Sequence, residues 1–155
     1  MATDREIIKA QQIGDFKSSG LDDVDGSVKK LHEETFVFSN AAGSPLAEVG
    51  ITMVKKCRVK SIRALPGGNL ATHAANYITG TVYKRDGAGG SATSIGAFTT
   101  NSSGGAALTA FVPTTVTPTA SAVEIAAGGV LTYALVDAAT TTEPAINVSV
   151  TVEYV

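Results

Sequence analysis

The side chains able to do chemistry are few and scattered. The chain holds two histidines, His32 and His73, and a single cysteine, Cys57. Zinc requires three or four nitrogen, sulfur or carboxylate ligands brought together, and no paired His or Cys spacing supplies them. Nucleophilic catalysis needs a Ser, Cys or Thr, a base and an orienting group, and no such set can be assembled from these positions with any specificity. The expectation is therefore a protein that is not an enzyme and that uses no cofactor and no metal. Cys57, alone in the chain, reads as a small buried hydrophobe. The glycines of Gly87-Ala88-Gly89-Gly90 follow a strand-like segment, but Thr- and Ser-rich, strand-like sequence comes after them. A phosphate loop needs a helix N-terminus behind it, so these glycines read as turn residues. Asn101-Ser102-Ser103 and Asn147-Val148-Ser149 match the glycosylation acceptor pattern, without a secretory signal ahead of them to give the match weight.

One basic cluster stands out, Lys55-Lys56-Cys57-Arg58-Val59-Lys60-Ser61-Ile62-Arg63. On a strand, Lys56, Arg58 and Lys60 share one face, with Cys57, Val59 and Ser61 on the other. Lys56, Arg58 and Lys60 are the candidate charged contact face. They read as the charge that protects an edge strand, or as a docking face for an acidic partner such as the Asp22-Asp23-Asp25 segment of a neighbouring copy. With a net charge of -2 and only 6% aromatic residues, the chain lacks the positive balance and interleaved rings of a nucleic-acid binder, and no direct nucleic-acid binding is expected.

The elements that would position these residues are strands. Apolar residues make up 44% of the 155, without a Trp, and β-branched Val and Thr dominate the C-terminal half. Extended segments are expected from about Thr35, with Phe36 and Phe38 on one face; from Val49 to Leu65; from Tyr77 to Lys84, with Ile78 and Val82 on one face; and from Thr93 to Thr100. Further strands are expected over Ala107 to Val112, Ser121 to Ala126, Val130 to Asp137 and Ala145 to Tyr154. In the last, Ile146, Val148, Val150 and Val152 alternate with Asn147, Ser149, Thr151 and Glu153. Turn clusters such as Asn40–Pro45, Pro66–Asn69, Asp86–Gly90 and Asn101–Gly105 separate them. About eight strands joined by short Gly- and Pro-rich turns, with no helical period between them, predict an all-β fold. Its form is a two-sheet antiparallel β-sandwich of jelly-roll or Greek-key type with an extended N-terminal arm.

The arm, residues 1–33, differs from the sandwich domain, residues 34–155. Through Glu34 the sequence carries five basic and eight acidic side chains, whereas the rest nets +1 over a much longer stretch. Thr3-Asp4-Arg5-Glu6 fits a capping box ahead of Ile7, Ile8 and Ala10, and Ser18 to Gly26 is acidic and thin in hydrophobes. A short helix of that kind needs a surface to dock on, so the segment reads either as a floppy tail or as an arm that orders on a partner. Ile7, Ile8, Ile13, Phe16 and Leu21 are the candidate partner-binding residues of the arm. The chain has no run of 18 apolar residues and no signal-peptide pattern at Met1–Glu6, so no membrane and no secretory route are expected.

From Tyr77 onward the sequence resembles a known family. Thr81-Val82-Tyr83-Lys84-Arg85-Asp86-Gly87-Ala88-Gly89-Gly90, a Thr-rich strand, Ala126-Ala127-Gly128-Gly129-Val130-Leu131-Thr132-Tyr133-Ala134 and Val148-Ser149-Val150-Thr151-Val152 are similar to segments of tailed-phage capsid decoration (cement) and head-fibre proteins. The resemblance implies a β-sandwich on the outer surface of the phage head, in the virion after synthesis in the host cytoplasm, commonly a homotrimer that binds the major capsid protein and bridges capsomers. It transfers no catalytic residue. The alternative is a phage tail or fibre domain, or a carbohydrate-binding β-sandwich module with Tyr77, Tyr83 and Tyr133 as its candidate aromatics.

Overall fold

The computed structural model describes residues 33–87, 90–120, 123–138 and 143–155. The capping box and the arm residues Ile7, Ile8, Ile13, Phe16 and Leu21 lie outside the described residues, as does His32. Among the described residues the chain is all strand and connection. In order these are β1 (Glu33–Ser39), β2 (Leu46–Thr52), β3 (Cys57–Pro66), β4 (Ile78–Arg85), β5 (Thr93–Thr99), β6 (Thr114–Val116), β7 (Glu124–Ile125), β8 (Val130–Asp137) and β9 (Ile146–Tyr154).

Two antiparallel sheets form a β-sandwich. One has the order β1-β9-β3-β6, with β7 pairing β3 as well; the other has the order β2-β8-β4-β5. β6 pairs with Ile62–Ala64 and β7 with Cys57–Arg58, so the two short strands share one lane along β3. Every connection except β4–β5 and β6–β7 passes from one sheet to the other, and the first and last strands are neighbours. Eight lanes in this order are the jelly-roll arrangement of two Greek keys.

Alternation explains the core. Ile146, Val148, Val150 and Val152 of β9 are fully buried, while Asn147 between them is exposed. They face Ile78, Val82, Ile95, Leu131 and Leu135 of the opposite sheet within one apolar cluster. Burying side chains of this size contributes about 1.5–3 kcal/mol each. The Phe38 and Tyr133 rings bridge the sheets with centroids 6.1 Å apart. At one corner the buried Asn40 ties three segments together. Its Nδ2 donates to the carbonyls of Ala41 (2.9 Å) and Ser44 (3.3 Å), and its Oδ1 accepts the Ile146 N–H at 2.7 Å.

Three expectations are corrected. The extended stretch from Val49 to Leu65 is two strands in opposite sheets. It breaks at buried Met53, whose N–H reaches the Gly129 carbonyl (2.8 Å) and whose carbonyl accepts the Gly128 N–H (2.7 Å). Ala107 to Val112 is not a strand. Leu108 bridges Leu70, and the Phe111 N–H bonds the Pro66 carbonyl at 2.8 Å, so that lane is filled by Thr114–Val116 instead. Finally, the register of β3 against β9 shifts between Val59 and Ser61. The extra residue resets the alternation, which turns Ile62 into the core and leaves Ser61 only partly buried.

Candidate functional site

The basic cluster lies in mid-sheet. β3 has β9 on one side and β6 with β7 on the other, so it is not the protected edge strand that its charge suggested. Lys56, Arg58 and Lys60 do share the outer face, and each meets a carboxylate. Lys56 Nζ is 3.2 Å and Arg58 Nη2 2.6 Å from Glu124 on β7, and Lys60 Nζ is 3.3 Å from Glu153 on β9. The hydrogen bonds from Arg58 and then Lys56 hold the Glu124 carboxyl below its ordinary range. These pairs are about half exposed, so water screens them. The three cations share two carboxylates, so the stripe keeps a net positive charge of one. Beside it, Lys84 Nζ donates to the Glu124 carbonyl at 3.0 Å over a shallow cleft of about 320 Å³ that reaches down to Ile125.

A second charged cluster crosses the other sheet, and nothing in the sequence pattern announced it. Arg85 on β4 grips Glu48 on β2 with two bonds, Nε to Oε1 at 2.6 Å and Nη2 to Oε2 at 2.5 Å. Thr132 on β8 donates its hydroxyl to the same Oε1 at 2.5 Å. The Arg85 bond first, and the Thr132 bond second, pull the Glu48 carboxyl down to about 2. A fork-to-fork pair of this kind ties three adjacent strands together. Arg85 Nη1 also donates to the Gly90 carbonyl (2.9 Å), and the Gly90 N–H bonds Asp86 Oδ1 at 2.8 Å. The described glycines here shape a turn: a Cβ on Gly87 would sit 2.8 Å from the Gly128 carbonyl oxygen.

Among the described residues, His73, Cys57, Asn101 and Asn147 are held by contacts within the fold. His73 Nδ1 accepts the N–H groups of Ala75 (3.0 Å) and Asn76 (2.8 Å), which closes its loop and occupies that nitrogen's lone pair. Cys57 is fully buried, and burial pushes its thiol up. Asn101 Oδ1 accepts from the Ser103 N–H and hydroxyl, and Asn147 Oδ1 accepts the Ser39 hydroxyl at 2.6 Å.

Two surface features remain. Tyr77, Thr79, Thr99 and Asn101 line a shallow depression of about 370 Å³ at the β4–β5 end. Tyr133, the third aromatic considered for a sugar site, is fully buried and so cannot serve one; its hydroxyl has no hydrogen-bond partner among the described residues. At the same end of the sandwich Phe111 is 75% exposed with φ at +58°, and Val112 beside it is exposed as well. The Phe111 N–H bond to Pro66 and the Ala110 N–H bond to Asn69 Oδ1 (2.8 Å) pin this apolar tip. No sequence signal marks the left-handed backbone, which in a non-glycine residue is uncommon.

No family model matches the chain, and no curated protein matches it. Among solved structures, that of the infectious bursal disease virus Gx strain is similar over 79% of this chain at 10% identity, with a TM-score of 0.35. The chain spans about a third of the length of that structure's chain, 32%. The jelly-roll assignment rests on the strand order, independently of this likeness.

Proposed function

We propose that this chain is a structural protein of a virion, a decoration protein that attaches to the outer surface of an assembled phage head and stabilises it by bridging capsomers of the major capsid protein. The observation that supports the reading is a jelly-roll sandwich with ion pairs joining neighbouring strands in both sheets. Capsid proteins are among the known users of this fold. Fold alone does not fix function; the pinned apolar tip at Phe111 and Val112 adds a surface suited to a partner. The sequence resemblance to decoration and head-fibre proteins points the same way.

The mechanism is mass action. A protein that binds the intact lattice and not its separated parts stabilises the lattice, by about 2.7 kcal/mol when free protein is at a hundred times its Kd. Repeated attachment across a shell makes weak single contacts sufficient. Ile7, Ile8, Ile13, Phe16 and Leu21 of the arm are the proposed anchors. Removing residues 1–30 tests this: the truncated protein is expected to keep its cooperative melt and to stop co-sedimenting with purified shells. Unchanged co-sedimentation would remove the arm from the mechanism. The depression lined by Tyr77, Phe98 and Asn101 supports one other reading, a carbohydrate-binding module, which glycan-array binding without shell affinity would establish in its place.

A further inference from the structure

Among the described residues Phe111 alone, glycines apart, has a positive φ, at +58°. A left-handed backbone crowds the Cβ of any other residue and persists only where surrounding contacts hold it. Here they do. The Phe111 N–H bonds the Pro66 carbonyl and the Ala110 N–H bonds Asn69 Oδ1, both at 2.8 Å, while the Val112 N–H reaches the Thr109 carbonyl at 3.1 Å. Behind them the buried Leu108 exchanges two backbone bonds of 2.8 Å with Leu70. All of these bonds hold the turn, and none holds the ring. Phe111 is 75% exposed, Val112 is 52% exposed, and neither belongs to the apolar cluster of the core.

The surroundings of this tip are uncharged. The connections after β1, β3, β5 and β8 meet at one end of the sandwich, where Pro66 pairs with Ile146 and Ile78 with Asp137. They cover residues 40–45, 67–77, 100–113 and 138–145, and their sequences hold a single charged residue, Glu143. Its side chain is buried, and Asp137 at the end of β8 is half-buried. The ion pairs of Lys56 and Arg58 with Glu124, and of Arg85 with Glu48, stand towards the other end.

We infer that Phe111 and Val112 enter an uncharged, apolar pocket on a subunit of the shell, with Phe111 as the anchor of that contact; this rests on the decoration reading. Three features carry it. A buried contact centre is poor in charge and rich in aromatic side chains, and this end supplies both conditions. No Lys, Arg, Asp or Glu around the tip has to be stripped of water when it docks. The hydrogen-bonded turn presents the ring already in place, so little ordering cost falls on binding. A lipid surface fits less well, because the basic residues that accompany an aromatic into anionic headgroups are missing from these loops.

Co-sedimentation of the full-length chain with purified heads stripped of it, titrated to saturation, tests the contact. Phe111→Gly removes the ring and suits the left-handed backbone, whereas Phe111→Leu keeps an apolar side chain there. The expected Phe111→Gly chain melts no earlier than the parent and binds heads about tenfold or more weaker, with Phe111→Leu between the two. Equal binding by the parent and Phe111→Gly overturns the inference and leaves the decoration reading standing. A parent chain that does not bind heads sinks both. An earlier melt for Phe111→Gly overturns the inference as well, since the ring would then serve the fold. So does Phe111-dependent binding of the parent to phosphatidylglycerol vesicles, which would make lipid the occupant.

Discussion

Replacing Tyr133 by Phe is expected to stabilise the protein, against the usual direction of core substitutions. The phenol is fully buried between the sheets, its ring against Phe38, and its hydroxyl has no hydrogen-bond partner among the described residues. Burial pushes its pKa up, the mark of a group that has given up water without replacement. A buried hydroxyl left unsatisfied costs about 1–3 kcal/mol. Phe removes that cost and leaves a void of one oxygen atom, which costs a fraction of a kcal/mol in lost contacts. The net gain is on the order of 1 kcal/mol, or roughly 3–5 °C in Tm for a domain of this size. Urea titration of Tyr133→Phe beside the parent chain measures it, as a higher midpoint at unchanged slope. A loss of about 1 kcal/mol or more would refute the reasoning, because it would mean that the hydroxyl makes a bond the fold depends on.

Other predictions follow from close contacts and from charge. A Cβ on Gly80 would lie 2.3 Å from Phe98 Cε1 and Cζ, so Gly80→Ala should cost about 1–3 kcal/mol, and Phe98→Leu in the same chain should recover part of it. Glu48 has its carboxyl held at about 2 in the fold against 4.5 ordinarily, so its bonds to Arg85 and Thr132 stabilise the protein above about pH 4.5. That contribution fades as the pH falls towards 2. Glu48→Gln should therefore flatten the acid side of the stability profile, and an unchanged slope would contradict the assignment. Cys57 should stay unmodified by a thiol reagent until the domain unfolds, since its side chain has no exposure; labelling at native rates matching those of a free thiol would contradict its placement.

The parts of the fold legible in the sequence are those fixed by local alternation. β9 and β4 show it residue by residue, and the turn chemistry of Asp86-Gly87 and Asn101-Ser102 separates their neighbours. What stayed hidden depends on distant chain. Met53 breaks β2 from β3 without Gly or Pro because Gly128 and Gly129 supply its backbone bonds. A bulge at Lys60 moves Ile62 into the core, against simple parity. Arg58 is 66 residues from Glu124, so the sequence displayed a basic stripe where the fold builds ion pairs. The same holds for Glu48 and Arg85. Phe111 was legible as a strand residue and is instead a pinned, exposed tip, because Pro66 and Asn69 take up its loop's backbone groups.

Attachment to assembled shells is the claim on which the account turns, and thermal disassembly of purified heads stripped of this protein tests it most directly. Adding the full-length chain is expected to raise the disassembly temperature in a saturable way, with bound protein reaching a fixed ratio to the major capsid protein. Heads that bind none of it, or that bind it and come apart at the same temperature, would contradict the decoration reading.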